Sequence, residues 1–260
     1  MKRLRHYNKE LAVVLSVFGS SEPAAMAQYE ELKQEIKHSL PSEAEIRMAV
    51  SSRTVLKNLE NKGQKFYTLP EELANIDRLG YKKVIVASIN LFPTDEHEHL
   101  LKITEGFKNN ISPARYEVTM PFFAKAKPTN EFLKALDNKL RQEHSPSSIV
   151  YIAHGSSNLC NTGSQTFLYV KEYLKMLNPN NYFFTIEGAF KYERVLIDIK
   201  GSVLVVPLLL VTGNHMLNDI YEIKEELDGQ MPEDFSLLKL ENTRKYFVDE
   251  VQEAIKRCSI

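Results

Sequence analysis

The residues Leu11-Ala-Val-Val-Leu-Ser-Val-Phe-Gly-Ser-Ser21 decide the fold, because they join an apolar run of strand length to a Gly-Ser-Ser turn. The same order returns in the second half of the chain as Ser148-Ile-Val-Tyr-Ile-Ala-His-Gly-Ser-Ser157. A pattern of Ala, Glu, Lys and Leu at helical spacing follows the first turn and stops before Pro41. Short apolar runs that alternate with helical periods are typical of parallel sheets covered by helices on both faces.

A second internal match indicates a duplicated chain. Residues Val84-Ile-Val-Ala-Ser-Ile-Asn-Leu-Phe-Pro-Thr94 align with Val203-Leu-Val-Val-Pro-Leu-Leu-Leu-Val-Thr-Gly213. All parallel strand-to-helix turns look alike, so one match alone carries little weight, but two matches in the same order favour two similar α/β lobes. We predict an N-terminal lobe over residues 1–143 and a C-terminal lobe over residues 144–260, with a polar linker near residues 142–147.

The hydrophobic periods predict an alternation of strands and helices along the whole chain. The predicted strands cover residues 11–18, 45–50, 83–90, 115–119, 148–153, 182–186 and 203–210. The predicted helices cover residues 23–40, 52–61, 70–79, 95–108, 130–143, 164–177, 215–227 and 243–257.

The composition excludes several classes of protein. The chain has 260 residues, of which 43% are hydrophobic and 26% charged, as in a typical globular protein and unlike a disordered one. Its 33 Lys and Arg residues balance 34 Asp and Glu residues, so no net basic field is present to bind nucleic acid. The two cysteines are too few for a disulfide framework. No apolar run reaches the roughly 18 residues of a membrane span.

The N-terminus imitates a secretory signal. Residues 1–5 are basic, residues 11–18 are apolar, and Ala24, Ala25 and Ala27 follow like a cleavage site. Against this reading, Glu10 lies directly before the apolar run and Glu22 lies between that run and the small residues. We therefore expect residues 11–18 to be retained as the first strand of a cytoplasmic protein.

Three predicted strands of the second half end on residues that can bind a metal ion. His154 follows the first of these strands, Glu187 the second and His215 the third. Each of them alone is more typical of an ordinary turn. Because ligands bind at the carboxyl ends of parallel strands, three such ends in one lobe favour a common site. Two imidazoles and one carboxylate suit Co, Ni, Fe or Zn, and they could equally accept protons.

Seven short stretches carry a resemblance to a known family. They are Phe18-Gly-Ser-Ser21, Ser51-Ser-Arg53, Thr68-Leu-Pro-Glu-Glu-Leu73, Leu79-Gly-Tyr-Lys-Lys-Val84, Ala153-His-Gly-Ser156, Ile186-Glu-Gly188 and Leu210-Val-Thr-Gly-Asn-His-Met-Leu-Asn-Asp219. With them the chain resembles the class II tetrapyrrole chelatases, most closely the anaerobic cobalt chelatases that metallate sirohydrochlorin for cobalamin synthesis. The resemblance implies two parallel-sheet lobes that face each other across a cleft.

The resemblance also implies a set of site residues. His154, Glu187 and His215 would bind the incoming metal and catalyse its insertion. The metal would be a divalent substrate, with Co²⁺ first and Ni²⁺, Fe²⁺ or Zn²⁺ as alternatives, and no organic cofactor would be needed.

The acetate and propionate arms of sirohydrochlorin need hydrogen-bond donors. The Gly-Ser-Ser turns with Ser20, Ser21 and Ser156 would offer backbone N–H groups at helix N-termini, and Arg53 would form a bidentate pair. For Arg53, a surface helix position is an equal alternative.

Asn90 is a further expected substrate contact, and the chain departs from the family pattern at this residue. Family members often carry His in a Ser-Leu-His context there, whereas this chain has Ser88-Ile-Asn90. An amide cannot take up a proton, so the identity of the macrocycle is less constrained than the fold. Glu96 matches an acidic position of the family and would line the cleft. We read His97 and His99 as a solvated helix start, with a metal-delivery patch as the alternative.

Other functions stay open on the sequence alone. They are a chelatase or dechelatase for another metal or porphyrin, such as iron, nickel or haem, a non-catalytic haem- or tetrapyrrole-binding protein, and a zinc hydrolase. We expect a tetrapyrrole partner, no nucleic acid and no membrane span, and we leave a homo-oligomer open.

Overall fold

The structure is a computed structural model that describes residues 3–193, 199, 201–211 and 213–258. Within these ranges the strands form two fully parallel sheets. The first has the order β2-β1-β3-β4, with β1 (Lys9–Val17), β2 (Glu45–Val50), β3 (Tyr81–Ser88) and β4 (Arg115–Val118). The second has the order β6-β5-β7, with β5 (Ser148–Ser156), β6 (Asn181–Gly188) and β7 (Val203–Pro207).

Helices connect the strands and confirm the predicted alternation. They are α1 (Pro23–His38), α2 (Arg53–Asn61), α3 (Leu69–Leu79), α4 (Asp95–Gly106), α5 (Ala126–His144), α6 (Thr162–Leu177), α7 (Asn214–Glu226) and α8 (Glu241–Arg257). A π-helical turn, Phe107–Ile111, continues α4. Short 3₁₀ turns occupy Arg3–His6, Phe122–Ala124 and Leu237–Lys239. None of the helices in the described ranges combines the length and apolar character of a membrane span.

The chain divides into two compact units, each built from segments that are not continuous in the sequence. The first unit contains Met1–Asn90, Glu96–Phe122 and Glu241–Ile260, and the second contains Leu91–Asp95 and Phe123–Leu240. This grouping differs from the division predicted at residues 143 and 144, because α5 belongs to the second unit and α8 to the first.

Packing explains why α5 belongs to the second unit and α8 to the first. In the first unit α8 contacts α1, β3 and β4, and Arg244 donates from Nε to Glu35 Oε1 at 2.6 Å. In the second unit α5 contacts α6, and Asp137 Oδ1 accepts hydrogen bonds from Tyr151 Oη and Asn181 Nδ2, both at 2.9 Å. Each of these two helices therefore packs against elements of the unit to which it belongs.

The core of the first unit lies on both faces of β1. Every residue from Leu11 to Leu15 is buried, and those from Ala12 onward are 0% exposed. A central strand of a parallel sheet covered by helices needs such a continuous apolar run. The segment 11–18, which the sequence predicts as a strand, thus supplies the middle of this sheet.

The short segment Leu91–Asp95 joins the second unit through aromatic packing. The ring of Phe92 lies 4.4 Å from that of Phe167 and 5.0 Å from that of Phe123, measured between centroids. Phe92 is buried, and aromatic side chains bury more apolar area than most others. The segment is thereby fixed to the second unit, although β3 and the rest of α4 belong to the first.

The two sheets repeat one hydrogen-bonding scheme. β1 pairs with β2 and β3, and β5 pairs with β6 and β7 in the same way. The residues after the third strand of each half are also bonded alike. These bonds run from Ile89 N to Ser16 O (3.0 Å), Leu208 N to Ile152 O (2.7 Å), Phe122 N to Asn90 O (2.9 Å) and Leu237 N to Leu209 O (2.9 Å). The internal matches in the sequence thus correspond to matching positions in the two halves.

A candidate metal centre at the carboxyl ends of the second sheet

His154 and Glu187 lie side by side at the carboxyl ends of β5 and β6. Gly155 pairs with Glu187 in the register of these strands, and His154 Nδ1 lies 3.8 Å from Glu187 Oε1. The two side chains are 52% and 50% exposed. An imidazole and a carboxylate that are adjacent and open to solvent offer two ligands to one divalent cation.

Two glycines bring the ends of β5 and β6 together. Gly155 has a φ of +93° and Gly188 a φ of +87°, in the region that side chains rarely adopt. A Cβ at Gly155 would lie 2.0 Å from the carbonyl oxygen of Glu187, and one at Gly188 would lie 2.0 Å from that of Ser156. Because backbone atoms fill this space, only glycine fits at these two positions. The resulting close approach of the strand ends sets the spacing of His154 and Glu187.

The hydrogen bonding of His154 leaves one nitrogen for a ligand. Its Nδ1 lies 3.2 Å from the carbonyl oxygen of Gly155. When Nδ1 carries the proton and donates it to this oxygen, Nε2 carries the lone pair. A neutral imidazole in this tautomer can bind a metal ion or accept a proton through Nε2.

His215 lies at the start of a helix after the third strand, as the sequence predicts, but its side chain is outside the described part of the chain. It is the second residue of α7, which follows β7. Its predicted convergence with His154 and Glu187 therefore stays a prediction. Among the residues that the structure describes, no three His, Cys, Asp or Glu side chains form a group that could hold a metal ion.

The hydroxyl of Ser156, a predicted substrate contact, is engaged inside the protein. Ser156 is buried, and its Oγ accepts hydrogen bonds from Asn158 N at 3.2 Å and from Asn161 Nδ2 at 2.9 Å. The same hydroxyl donates to Asp95 Oδ2 at 3.3 Å. Asn161 also caps α6, since its Oδ1 accepts from Ser164 N at 3.0 Å. The side chain of Ser156 thus fixes the turn after His154.

The first unit contains the same turn without the candidate metal ligands. Gly19 has a φ of +90°, and Phe18 occupies the position that corresponds to His154. Ser20 Oγ accepts from Glu22 N at 3.1 Å, as Ser156 Oγ accepts from the residue two positions on. Ser21, the third residue of this turn, accepts from Asn58 Nδ2 at 3.2 Å through Oγ and from Lys62 Nζ at 2.7 Å through its carbonyl oxygen.

Arg53 is the first residue of α2 and is exposed. Its helix begins at Ser52, whose side chain accepts a hydrogen bond from Val55 N. Within the described ranges the guanidinium of Arg53 has neither a hydrogen bond nor an ion pair. A guanidinium at the positive end of a helix, with its donors available, is suited to bind a carboxylate.

Asn90 is tied to a buried histidine. Its Nδ2 donates to Ser88 Oγ at 2.9 Å, and that oxygen lies 2.9 Å from His97 Nδ1. The expectation that His97 is solvated is wrong, because it is 4% exposed and burial lowers its pKa to about 4. His99 and the predicted substrate contact Glu96 are exposed on the same helix.

The sequence contained a signal for the burial of His97. His97, Leu100 and Thr104 are spaced by three and four residues and form the buried face of α4. No comparable signal marked Asp95 and Asn158, whose partners are set by the tertiary structure.

Comparison with known proteins gives one family and one fold. The profile of the family described as cobalt chelatase (CbiK) matches residues 11–231. SirB from Bacillus subtilis with Fe³⁺ is 14% identical, each chain covering 95% of the other, with a TM-score of 0.64. The sirohydrochlorin chelatase SirB from Bacillus subtilis subspecies spizizenii, in complex with cobalt, is 15% identical over 96% of both chains, with a TM-score of 0.64.

A third solved structure is similar to the same extent. CbiX, the terminal enzyme for biosynthesis of siroheme in denitrifying bacteria, is 14% identical over 95% of this chain and 99% of its own, with a TM-score of 0.61. At such low identities, these likenesses show that the chain has the fold of these chelatases.

Proposed function

The chain belongs to the cobalt chelatase (CbiK) family, and on that premise we propose that it inserts a divalent metal ion into sirohydrochlorin or a close relative. The family and the parallel fold confirm the class II tetrapyrrole chelatase that the sequence motifs predict. We propose Co²⁺ as the metal and cobalamin synthesis in the cytoplasm as the setting. The observation that carries the proposal is the exposed pair of His154 and Glu187, with Nδ1 and Oε1 separated by 3.8 Å.

Metal insertion requires two events, and the pair can assist both. The ion must lose water ligands, and two pyrrole N–H protons must leave the macrocycle. A neutral imidazole can bind the ion or accept such a proton, and Nε2 of His154 serves in either role. The carboxylate of Glu187 offsets part of the charge of the ion and orients it. His215, at the start of α7, is proposed as the third ligand.

The carboxylate arms of the macrocycle need cationic or N–H donors in this proposal. Arg53 is suited to this because its guanidinium is exposed and has no partner among the described residues. Ser20 and Ser21 contribute through the backbone N–H groups of their turn, and their hydroxyls, which accept from Glu22 N and Asn58 Nδ2, each retain an O–H donor. Glu96 is kept as a proposed substrate contact on α4.

One observation favours a second candidate, a non-catalytic tetrapyrrole-binding protein. Asn90 stands where family members often carry His, and its amide donates to Ser88. An amide does not take up a proton at neutral pH, so one group able to assist deprotonation of the macrocycle is missing there. The two candidates differ in whether bound tetrapyrrole acquires a metal ion.

The deciding experiment mixes the purified protein with sirohydrochlorin and Co²⁺ in the absence of oxygen and follows the absorbance of the macrocycle. We expect insertion faster than the spontaneous rate, and its loss in His154→Ala and Glu187→Gln. His144→Ala, which removes an exposed histidine at the end of α5, is the matched control and should retain the full rate. Binding of the macrocycle with no accelerated insertion would favour the second candidate.

A further inference from the structure

Asp95, the first residue of α4, holds the turn that follows His154. We infer that Asp95 is a positioning residue for the metal centre, acting on His154 and Glu187 through Ser156 and Asn158. This inference rests on the proposed function, because it assigns Asp95 a task in the same site. If this role is correct, a substitution of Asp95 changes the affinity for the metal ion, whereas a substitution of an acidic residue far from the site does not.

Each oxygen of the Asp95 carboxylate has its own partner in this turn. Oδ2 accepts from Ser156 Oγ at 3.3 Å, and Oδ1 accepts from Asn158 Nδ2 at 2.7 Å. These partners lie two and four residues after His154 in the chain. Hydrogen bonds to an ionised acceptor are stronger than those between neutral groups, so the carboxylate is an effective anchor for a turn.

The turn transmits the position of Ser156 to both proposed ligands. Ser156 pairs with Gly188 in the register of β5 and β6, directly after the pair of Gly155 and Glu187. A Cβ at Gly188 would lie 2.0 Å from the carbonyl oxygen of Ser156, so the two strand ends are in close backbone contact. A shift of Ser156 therefore moves the backbone next to His154 and Glu187 as well.

Asp95 is itself fixed by packing that does not involve its carboxylate. Pro93 accepts through its carbonyl oxygen from Thr162 Oγ1 at 3.0 Å. A Cβ at Gly163 would lie 2.8 Å from Thr94 Cγ2, which shows how closely α6 approaches this segment. With Phe92 buried among aromatic rings, residues 91–95 should keep their place when the carboxylate is removed.

The role of the carboxylate predicts a graded response. Asp95→Ala removes both acceptors and frees Ser156 and Asn158. Asp95→Asn keeps one carbonyl oxygen, which can accept from only one of these partners, and its NH₂ group faces the other. A positioning role therefore gives Asp95→Asn an effect between those of the wild-type protein and Asp95→Ala.

The test titrates Co²⁺ into the 260-residue protein by calorimetry and records the visible spectrum of the bound ion. Groups that orient metal ligands typically change metal affinity by about 10- to 100-fold. Because Asp95 acts through the turn, we expect Asp95→Ala to weaken binding about tenfold and to alter the cobalt spectrum. Glu241→Gln, which changes the exposed acidic first residue of α8, is the matched control and should bind like the wild type.

A second variant separates positioning from direct ligation. Asn158→Ala removes one of the same hydrogen bonds from the exposed partner, and it is the measurement to use if Asp95→Ala does not fold. We expect a loss of affinity smaller than that of Asp95→Ala, because the contact with Ser156 remains, and no additional loss when Asn158→Ala is combined with Asp95→Ala. An unchanged affinity in Asn158→Ala would overturn the inference.

The outcome for His154 tells which proposal has failed. If His154→Ala loses Co²⁺ binding while Asp95→Ala binds like the wild type, the positioning role is overturned and the metal centre stands. If His154→Ala binds Co²⁺ as tightly as the wild type, the proposed metal centre itself is wrong.

Discussion

Gly155→Ala should damage the candidate metal centre without changing the side chain of either proposed ligand. Its φ of +93° costs an alanine about 1–2 kcal/mol, the usual penalty of a left-handed backbone for a residue with a Cβ. The new Cβ would also lie 2.0 Å from the carbonyl oxygen of Glu187, whereas real contacts of this kind stay above 3.0 Å. Since the obstacle is backbone, no rotamer change relieves it, and the ends of β5 and β6 must separate by about 1 Å.

This separation changes the distance between His154 and Glu187. A displacement of about 1 Å in a reacting site is enough to cost on the order of 100-fold in rate. We therefore expect Gly155→Ala to lower the rate of metal insertion about 100-fold and to weaken Co²⁺ binding. Gly63→Ala is the matched control, because Gly63 has a φ of +75° and no atom within 4 Å of its Cβ position.

Two assays separate the strain from the displacement. Urea unfolding of Gly63→Ala should show a loss of about 1–2 kcal/mol, with Co²⁺ affinity and insertion rate unchanged. Gly155→Ala should lose at least this much stability and should also lose the site. If Gly155→Ala kept the Co²⁺ affinity of the wild type, the close approach of the two strand ends would not set the ligand spacing.

Three further outcomes follow from the described contacts. Burial lowers the pKa of His97 to about 4 in the folded state, whereas the pKa is about 6.5 in the unfolded state. The free energy of unfolding should therefore be highest above pH 6.5 and should fall by about 3 kcal/mol as the pH drops to 4. Urea unfolding at both pH values measures this decrease. The decrease should be absent in His97→Asn and unchanged in His99→Asn. Arg53→Ala should raise the KM for the tetrapyrrole and leave Co²⁺ affinity unchanged, as steady-state kinetics and calorimetry would show. Phe92→Ala should reduce the free energy of unfolding by about 3–5 kcal/mol in the same urea assay, because it empties an aromatic core.

The strands and helices could be predicted because their signals are local. The predicted strand 45–50 matches β2 (Glu45–Val50), and the predicted end of the third helix at residue 79 matches the end of α3, which is followed by Gly80 with a φ of +76°. Larger shifts occur where local signals compete. The helix α5 begins at Ala126, four residues before the predicted start, because Pro128 is tolerated in a first turn.

The membership of α5 and α8 could not be predicted from periodicity. A helical period shows that one face is apolar, but it does not show which sheet that face covers. The contacts that decide this are distant in sequence, such as the ion pair of Arg244 with Glu35, which are 209 residues apart. The division at residues 143 and 144 followed the order of the chain, whereas the compact units follow the packing of these helices.

The candidate site shows the same limit between local and distant information. Neighbouring parallel strands end at one edge, so His154 and Glu187 could be expected to meet before their register was known. The anchoring by Asp95 could not be expected, because Asp95 and Ser156 are 61 residues apart and no sequence pattern around either residue indicates the contact. His97 was misjudged for another reason, since its polar character outweighed its place on the buried face of α4.

The repeated turn separates what the backbone contributes from what the side chains contribute. Gly19 and Gly155 have φ values of +90° and +93°, and Ser20 and Ser156 accept from an N–H two residues on at 3.1 Å and 3.2 Å. The geometry of the turn is therefore a property of the fold, present in both halves. Only the second half adds His154 to it, where the first half has Phe18.

The fold is shared with chelatases that are only 14–15% identical to this chain, and a fold by itself does not decide the chemistry. In this chain both copies of the turn have a glycine at positive φ and a short hydroxyl contact, while the residue before the glycine differs, Phe18 in one and His154 in the other. The chemistry depends instead on the one or two side chains that the turn presents, and these can change while the backbone stays. On the proposed function, the choice of metal is therefore set by the proposed ligands His154, Glu187 and His215 and by the residues that hold them, rather than by the architecture that presents them.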